Sequence, residues 1–298
     1  MRIRVPASSA NLGPGFDSFA IALPLLAEFD LRPARVWAVD ANGEGVPAGE
    51  DNLFVVAARA VAKAARATIP TQHVEQRSAI PIARGLGSSA AAIVGGAVAA
   101  NALLGEPLDR RSLLRVASEV EGHADNVAAA LYGAFTVALP EEGGPVATRL
   151  VFPRTWRACV FVPSATLNTG EARAVLTPAV SRDDAIFNLS HAAALVAAVL
   201  RSDGALLSLA MADRMHQAAR TSLVPALAEI IGAAREAGAF GAALSGAGPS
   251  VVAIAPVRLA PRVVSAMEET AQLHGVGGRG RVLRVRAAGA QVTSGAER

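Results

Sequence analysis

Lysine is almost missing from this chain. Of its 28 basic residues only Lys63 is a lysine, and the other 27 are arginines. A phosphate loop of the G-x-x-x-x-G-K-[ST] type needs a lysine directly after its second glycine. Lys63 instead follows an alanine, in the helical stretch AVAKAARA, where it reads as a solvated side chain. Protein-kinase-type and Schiff-base chemistry lose their lysine for the same reason. Cysteine is as scarce. Cys159 stands alone, so no intrachain disulfide can form, and its apolar surroundings (ACVFV) mark a core thiol rather than a nucleophile. Aromatic residues make up only 4% of the chain and the formal charge is only +3. The arginines are scattered, so despite a pI near 9.9 there is neither a basic stripe nor a stacking platform for nucleic acid. Uninterrupted apolar runs stay short of the ~18 residues of a membrane span. The N-terminal MRIRVPASS has no apolar signal core. The expectation is a cytoplasmic protein with neither nucleic acid nor membrane as partner.

Hydrophobic residues are plentiful, 52% of 298, against 18% charged. That supports a substantial core in one large or two modest domains. Strand-like alternation runs from Arg2 to Pro6, a turn-rich loop from Ser8 to Gly15, and strand character again over Asp17–Leu31 and Arg35–Asp40. A helix is expected over Asn52–Arg66, capped by Asp51 or Asn52, then a strand over Thr71–Ser78. Helices follow at 88–104, 109–121 and 125–132, with Asp109 as N-cap and Gly133 as stop. Strands flank a Glu-Glu-Gly-Gly turn within 134–152. The second half opens with a strand, Arg157–Val162, followed by helices at 183–201, 204–213 and 223–237. A strand-turn-strand (AALSGAGPSVVAI), a helix at 259–273, a strand over Arg281–Arg286 and a frayed polar tail complete it. Irregular alternation argues α+β over a doubly wound sheet. The expected division is residues 1–150 and 151–298.

Four segments carry chemistry. In PIARGLGSSAA, Pro81 to Ala91, a small-residue loop runs into an apolar helix. Unpaired backbone N–H groups, the positive helix end and two hydroxyls there suit a phosphate, although a serine-capped helix after a turn has the same look. In PASSANLGPGFDSF, Asn11 and Asp17 flank a Gly-Pro-Gly turn. A carboxylate beside an amide in a rigid turn can bind an ammonium group, or simply stabilise the turn. In EVEGHADNVAAALYG, Glu119, Glu121, His123, Asp125 and Asn126 crowd a helix end. Their oxygens suit Mg²⁺ and their spacing is not a zinc pattern; a solvated helix end is the plain alternative. LSGAGPSVVAI, Leu244 to Ile254, is a tight turn between strand-like runs.

In this order, and at this length, the four segments resemble the GHMP kinase superfamily and most closely its homoserine kinases. The resemblance implies a two-domain α+β fold: an N-terminal half like ribosomal protein S5 domain 2, a ferredoxin-like C-terminal half, and a site between them. It implies ATP phosphates against Pro81, Ile82, Ala83, Arg84, Gly85, Leu86, Gly87, Ser88, Ser89, Ala90 and Ala91, with Asn52 toward the adenine. Mg²⁺ would be held by Ser88 or Ser89 with Glu121, Glu119 being the alternative. The amino end of L-homoserine would meet Asn11 and Asp17, and its carboxylate Arg173 and Arg220, since arginine forks pair bidentately with carboxylates. Asn126 stands where mevalonate kinases carry a catalytic aspartate. An amide cannot be a general base, so Asn126 would orient the hydroxyl, with His123 beside the substrate and Asp125 a weaker base candidate. Asn168, Thr169 and Asn188 are supporting partners. YGAF replaces a Gly-Gly of relatives, a small steric change, and a short Glu-to-His spacing leaves the choice of metal glutamate open. The implied reaction is phosphorylation of L-homoserine to O-phosphohomoserine for threonine synthesis by a homodimer. Rival readings are a kinase for threonine, shikimate or mevalonate, and a non-catalytic nucleotide-binding regulator on the same fold.

Overall fold

A computed structural model describes residues 1–42 and 45–293. The first lobe is built on a long antiparallel pair, β1 (Arg2–Asn11) and β2 (Gly15–Pro33). Early in β1 the residues alternate: Ile3 and Val5 point into the core, while Arg2 and Arg4 pair with Asp30 and Glu28 on β2, each at 2.7 Å. From Ala7 to Asn11 the strand is buried on both sides. The loop expected over Ser8–Gly15 therefore shrinks to three residues. Serine favours turns locally, but Ser8 and Ser9 pair with β2, and their hydroxyls donate to Asn126 Oδ1 and Ser245 Oγ, each at 2.7 Å. Tertiary cover overrides a local preference here.

β3 (Ala38–Ala41) runs parallel to β4 (Gln72–Ser78), which pairs with β2. β5 (Phe135–Leu139) and β6 (Val146–Leu150) extend the sheet from β2. β11 (Gln291–Thr293) pairs with β1 and corrects the frayed tail expected there. The rest of that expected tail, 294–298, lies outside the described residues. α1 (Leu53–Ala64), α2 (Ser88–Leu103), α3 (Arg110–Glu121) and α4 (Asp125–Tyr132) pack together, α2 and α4 against the β1–β2 pair. The caps are those the sequence suggests: Asn52 accepts from Phe54 N at 2.9 Å, Asp109 from Ser112 N at 2.7 Å, and Gly133 stops α4. α2 is apolar on all faces, as a helix enclosed by other elements must be.

The second lobe is a four-stranded antiparallel sheet, β7 (Trp156–Pro163), β8 (Gly241–Leu244), β9 (Val251–Pro256) and β10 (Gly278–Leu283). α9 (Leu227–Glu236) joins β7 to β8 and α10 (Ala260–Leu273) joins β9 to β10. The spatial order β10-β7-β9-β8 is that of the ferredoxin-like β-α-β-β-α-β motif. The final strand lies about three residues earlier than the sequence pattern places it. Between β7 and α9 the chain inserts α5 (Thr169–Ala174), α6 (Arg182–Arg201), α7 (Gly204–Ala210) and α8 (Gln217–Arg220). α5 and α8 are too short for periodicity to reveal.

On β7, Cys159 and Phe161 join the cluster under α9 and α10, while Ala158 and Val160 face the core of the first lobe. Burial on both faces explains the unbroken run ACVFV, and fixes the two lobes through a shared apolar interior. Each large side chain fully buried there contributes roughly 1.5–3 kcal/mol. α6 is long and apolar enough to cross a membrane by length and composition, with mean hydropathy 1.3. It nevertheless begins with Arg182, Asp183 and Asp184 and sinks Leu195, Ala198 and Val199 into the core.

Candidate active site

A cleft of about 350 Å³ lies between the lobes, walled by all four segments. Its first wall is the loop into α2. Ala83, Gly85 and Gly87 alternate in the left-handed region (φ 53°, 69° and 69°). At Gly87 any Cβ would stand 2.1 Å from Ser8 Oγ, so only glycine lets the loop lie this close to β1. Gly87 itself precedes the helix with no side-chain cap. Ser88 and Ser89 are helical residues, which excludes the serine-capped reading. The N–H groups of Ser88, Ser89 and Ala90 find no protein acceptor among the described residues and stand at the positive end of α2. Arg84 clamps the loop to the second lobe through Pro163 O at 2.9 Å and Ser164 O at 2.6 Å. Ile82 to Ser89 line the cleft; Pro81, Ala90 and Ala91 do not, and the two alanines are fully buried packing residues.

The second wall is the α3–α4 junction. Glu121 Oε1 accepts from Ser89 Oγ at 2.6 Å, so Ser89 rather than Ser88 is the serine that meets a glutamate. Burial raises the Glu121 pKa, only partly opposed by Ser89 and His123. Glu119 is exposed and lies outside the cleft. His123 Nδ1 is 2.7 Å from Asp125 Oδ1, and its Nε2 is 3.8 Å from Glu121 Oε1. Burial alone would disfavour the charged ring, but the Asp125 hydrogen bond and both carboxylate charges outweigh it, leaving the His123 pKa above its ordinary value. Asp125 also accepts from Asn126 N at 2.7 Å. Asn126 Oδ1 accepts from Ser8 Oγ at 2.7 Å. Its Nδ2 makes no protein hydrogen bond among the described residues and remains available as a donor, on a residue that lines the cleft.

The third wall combines the β1–β2 turn with α5 and α8. Asn11, Leu12 and Asp17 all have positive φ (70°, 51° and 55°), a cluster of strain at one turn. Asn11 holds it by accepting from Asp17 N at 3.1 Å and donating to Gly246 O at 3.0 Å. Asp17 receives both Arg173 nitrogens, at 3.0 and 2.6 Å, so the residues expected at opposite ends of a substrate pair with each other. This hydrogen-bonded pairing, ahead of an opposing burial cost, raises the Arg173 pKa. Arg220 is 1% exposed. Its Nε donates to Ala172 O at 3.0 Å and its Nη1 to Gly246 O at 3.3 Å. No carboxylate reaches it within ion-pair distance among the described residues, and burial followed by the charge of Arg173 lowers its pKa. A buried cation in that condition is costly unless an anion joins it.

Sequence reasoning missed Phe16, whose ring lies 5.6 Å from Arg173 Cζ and 5.5 Å from Arg220 Cζ. The FD pair directly after the Gly-Pro-Gly turn is its only signal. Val46, Pro47, Leu53 and Gln76 also line the cleft, and nothing local marks them. Asn52 lines it too, but its side chain is spent on the α1 cap and on Pro47 O at 2.7 Å. Asn168 caps α5 through Gly170 N at 2.7 Å, and Thr169 follows it into the cleft wall. Asn188 lies outside, bonded to Asp213. The fourth segment is both a β8–β9 turn and a brace: Ser245 Oγ donates to Gly85 O at 2.7 Å, and Gly246 and Ala247 line the cleft.

Comparison with known proteins places the chain in a family. The models of the GHMP kinases N terminal domain and the GHMP kinases C terminal domain match residues 52–134 and 195–272. The homoserine kinase of Desulfitobacterium hafniense is 40% identical over 98% of this chain and 99% of its own. That of Deinococcus radiodurans is 46% identical over 84% and 82%. The crystal structure of homoserine kinase from Cytophaga hutchinsonii superposes with a TM-score of 0.89 at 27% identity, over 98% of this chain and 97% of that one. With relatives this similar over nearly its whole length, the chain belongs to the homoserine kinases of the GHMP kinase family.

Proposed function

We propose that the protein transfers the γ-phosphate of ATP to the side-chain hydroxyl of L-homoserine, giving O-phosphohomoserine for threonine synthesis. One observation carries this reading. The same cleft is lined by an unsatisfied helix N-terminus, by a buried, unneutralised arginine and by Asn126, whose amide nitrogen has no protein partner among the described residues. The first suits phosphates and the second a carboxylate.

In this reading the loop Gly85–Ser89 holds the ATP phosphates, and the apolar rim at Val46, Pro47 and Leu53 receives the base. Arg220 takes the substrate carboxylate with Arg173, and Asp17 takes the ammonium group. Asn126 Nδ2 points the hydroxyl at the phosphorus, and His123 stands beside it. A strong base is not required, because phosphoryl transfer has a loose transition state and gains most of its rate from positioning and charge neutralisation. The hydroxyl proton can leave late, to the transferred phosphate itself.

The site suits Mg²⁺. Glu121 and Ser89 offer hard oxygen atoms at 2.6 Å from each other, and a carboxylate whose burial opposes its charge gains from a cation. Bound there, Mg²⁺ would neutralise charge on the phosphate oxygens. One carboxylate is enough, because this ion is ordinarily held by one or two carboxylates and the substrate phosphates.

The division of work between residues 1–150, which β11 rejoins, and the rest of 151–298, a cytoplasmic location, and small molecules rather than nucleic acid or membrane as partners belong to the same proposal. So does a homodimer, for which α6 offers Ile186, Leu189 and Leu200, exposed along one helical face; light scattering checks it. The deciding experiment is ADP release by the purified protein with Mg-ATP and, in parallel, L-homoserine, L-threonine, shikimate and mevalonate. Homoserine-dependent release is expected. Release with another alcohol keeps the phosphate end and discards the substrate assignment.

A further inference from the structure

Arg220 lines the cleft and is held by three hydrogen bonds. Its neighbour four residues earlier, His216, is fully buried and accepts from Arg220 Nη1 through its Nδ1 at 3.2 Å. Nδ1 can accept only when it carries no proton. The other ring nitrogen, Nε2, then carries the hydrogen and donates it to Gly13 O at 2.8 Å. Gly13 belongs to the β1–β2 turn that presents Asp17. One imidazole therefore ties the turn of the first lobe to the arginine of the second.

The ring is itself anchored on both sides. Phe16 stacks on it at 5.2 Å between centroids, 28° from parallel. Behind it Asp213, whose side chain is entirely buried, accepts from the backbone N–H groups of Met215, His216 and Gln217 and from Asn188 Nδ2, at 2.7–3.1 Å. Those bonds begin α8 at a fixed place, and with it the positions of His216 and Arg220. Arg220 Nε and Nη1 are thus fully engaged by Ala172, Gly246 and His216, while Nη2 has no protein partner among the described residues.

We propose that His216 is a positioning residue for substrate binding: as the neutral Nε2–H tautomer, bridging Gly13 and Arg220, it aims the guanidinium at an amino-acid carboxylate. The inference rests on the homoserine reading above. A protonated ring would set an N–H against the Nη1–H of Arg220 and turn that guanidinium away. The charged groups facing the ring are Asp213 on its own segment, Arg220, and Asp17 and Arg173 across Phe16. Burial is the foremost influence and keeps the pKa of His216 below its ordinary value.

The test compares two substitutions with the wild type in steady-state kinetics, varying homoserine and ATP separately. His216→Phe keeps the stacking on Phe16 and removes the acceptor. It should raise the homoserine KM about 10- to 100-fold, the range for a hydrogen bond to a charged group, with kcat and the ATP KM nearly unchanged. His216→Asn leaves a cavity yet restores an acceptor near the Nδ1 position, and should recover most of the homoserine affinity while melting at lower temperature than the wild type. An unchanged homoserine KM in His216→Phe overturns the proposal. So does a homoserine KM that follows melting temperature across the variants, since that is the mark of a merely structural residue. Should His216→Phe not fold, the wild type and His216→Asn decide: the homoserine KM should rise at acid pH in the wild type more than in His216→Asn, and parallel profiles overturn the proposal. Wild type that does not phosphorylate homoserine overturns the underlying reading instead.

Discussion

The two ends of the cleft are made in different ways. The end proposed for phosphate is local and made mostly of backbone: seven consecutive residues, Ala83 to Ser89, with three left-handed positions and a helix start. The end proposed for the carboxylate is made of side chains from three places far apart in the chain, Phe16 and Asp17 in β2, Arg173 in α5 and Arg220 in α8. The first end packs closely against backbone and buried hydroxyls. The second is held by a mutual ion pair and by hydrogen bonds to carbonyl oxygens. A local loop cannot tell one phosphorylated compound from another, so discrimination falls to the assembled end.

The largest effect should come from the assembled end. Arg220→Leu is expected to lower kcat/KM for homoserine about 1000-fold, the scale for removing one partner of a buried hydrogen-bonded charge pair. Nucleotide affinity, measured by fluorescent-ATP titration, should stay. The melting temperature should change little, because an unneutralised buried charge leaves with the side chain. Gly87→Ala attacks the opposite end. Its new Cβ would fall 2.1 Å from Ser8 Oγ on a left-handed backbone, so the loop must shift. A misplacement of this size costs about 100-fold in kcat, and here it should appear together with a raised ATP KM while homoserine binding persists. Homoserine affinity lost in equal measure would mean the two ends are not separable.

Arg173→Leu should do less, about 10-fold on the homoserine KM, on the scale of one hydrogen bond to a charged group. Its side chain is 38% exposed, so solvent screens it more than Arg220. Asp30→Asn lies away from both ends and should leave the kinetics alone. Its hydrogen bond to Arg2, ahead of an opposing burial cost, holds the Asp30 pKa below the usual carboxylate value. A carboxylate depressed in the folded state adds stability above its ordinary pKa and loses it as pH falls through the folded value. The difference between wild type and Asp30→Asn, about 0.5 kcal/mol near neutrality for a surface pair, should therefore vanish in acid denaturation curves. A difference that does not shrink as pH falls contradicts the pairing.

Much of the fold could be read in the sequence because its signals are local. Asn52, Asp109 and Gly133 bound their helices where cap chemistry places them, and the apolar run of α2 needs no partner to be seen as buried. Where the reading failed, packing had replaced local preference. Ser8 and Ser9 look like turn residues and are strand, because Asn126 and Ser245, more than a hundred positions away, take their hydroxyls. β11 looks like a tail and is strand because β1 offers it an open edge. The ambiguity between Glu119 and Glu121 has the same origin. Two positions apart on one helix they point in different directions, and only the placement of α3 beside α2 decides that Glu121 meets Ser89.

By itself, then, the order of residues settled the glycine loop before α2, the caps and the supply of charged groups near the cleft, since each depends on neighbours within a few positions. The folded chain alone decided which of 27 arginines is stripped of solvent and left without a carboxylate, and that His216 is hydrogen-bonded to it. The physical reason is desolvation. The energy of a charge depends on everything within several ångströms of it, and in this protein those surroundings come from both lobes at once.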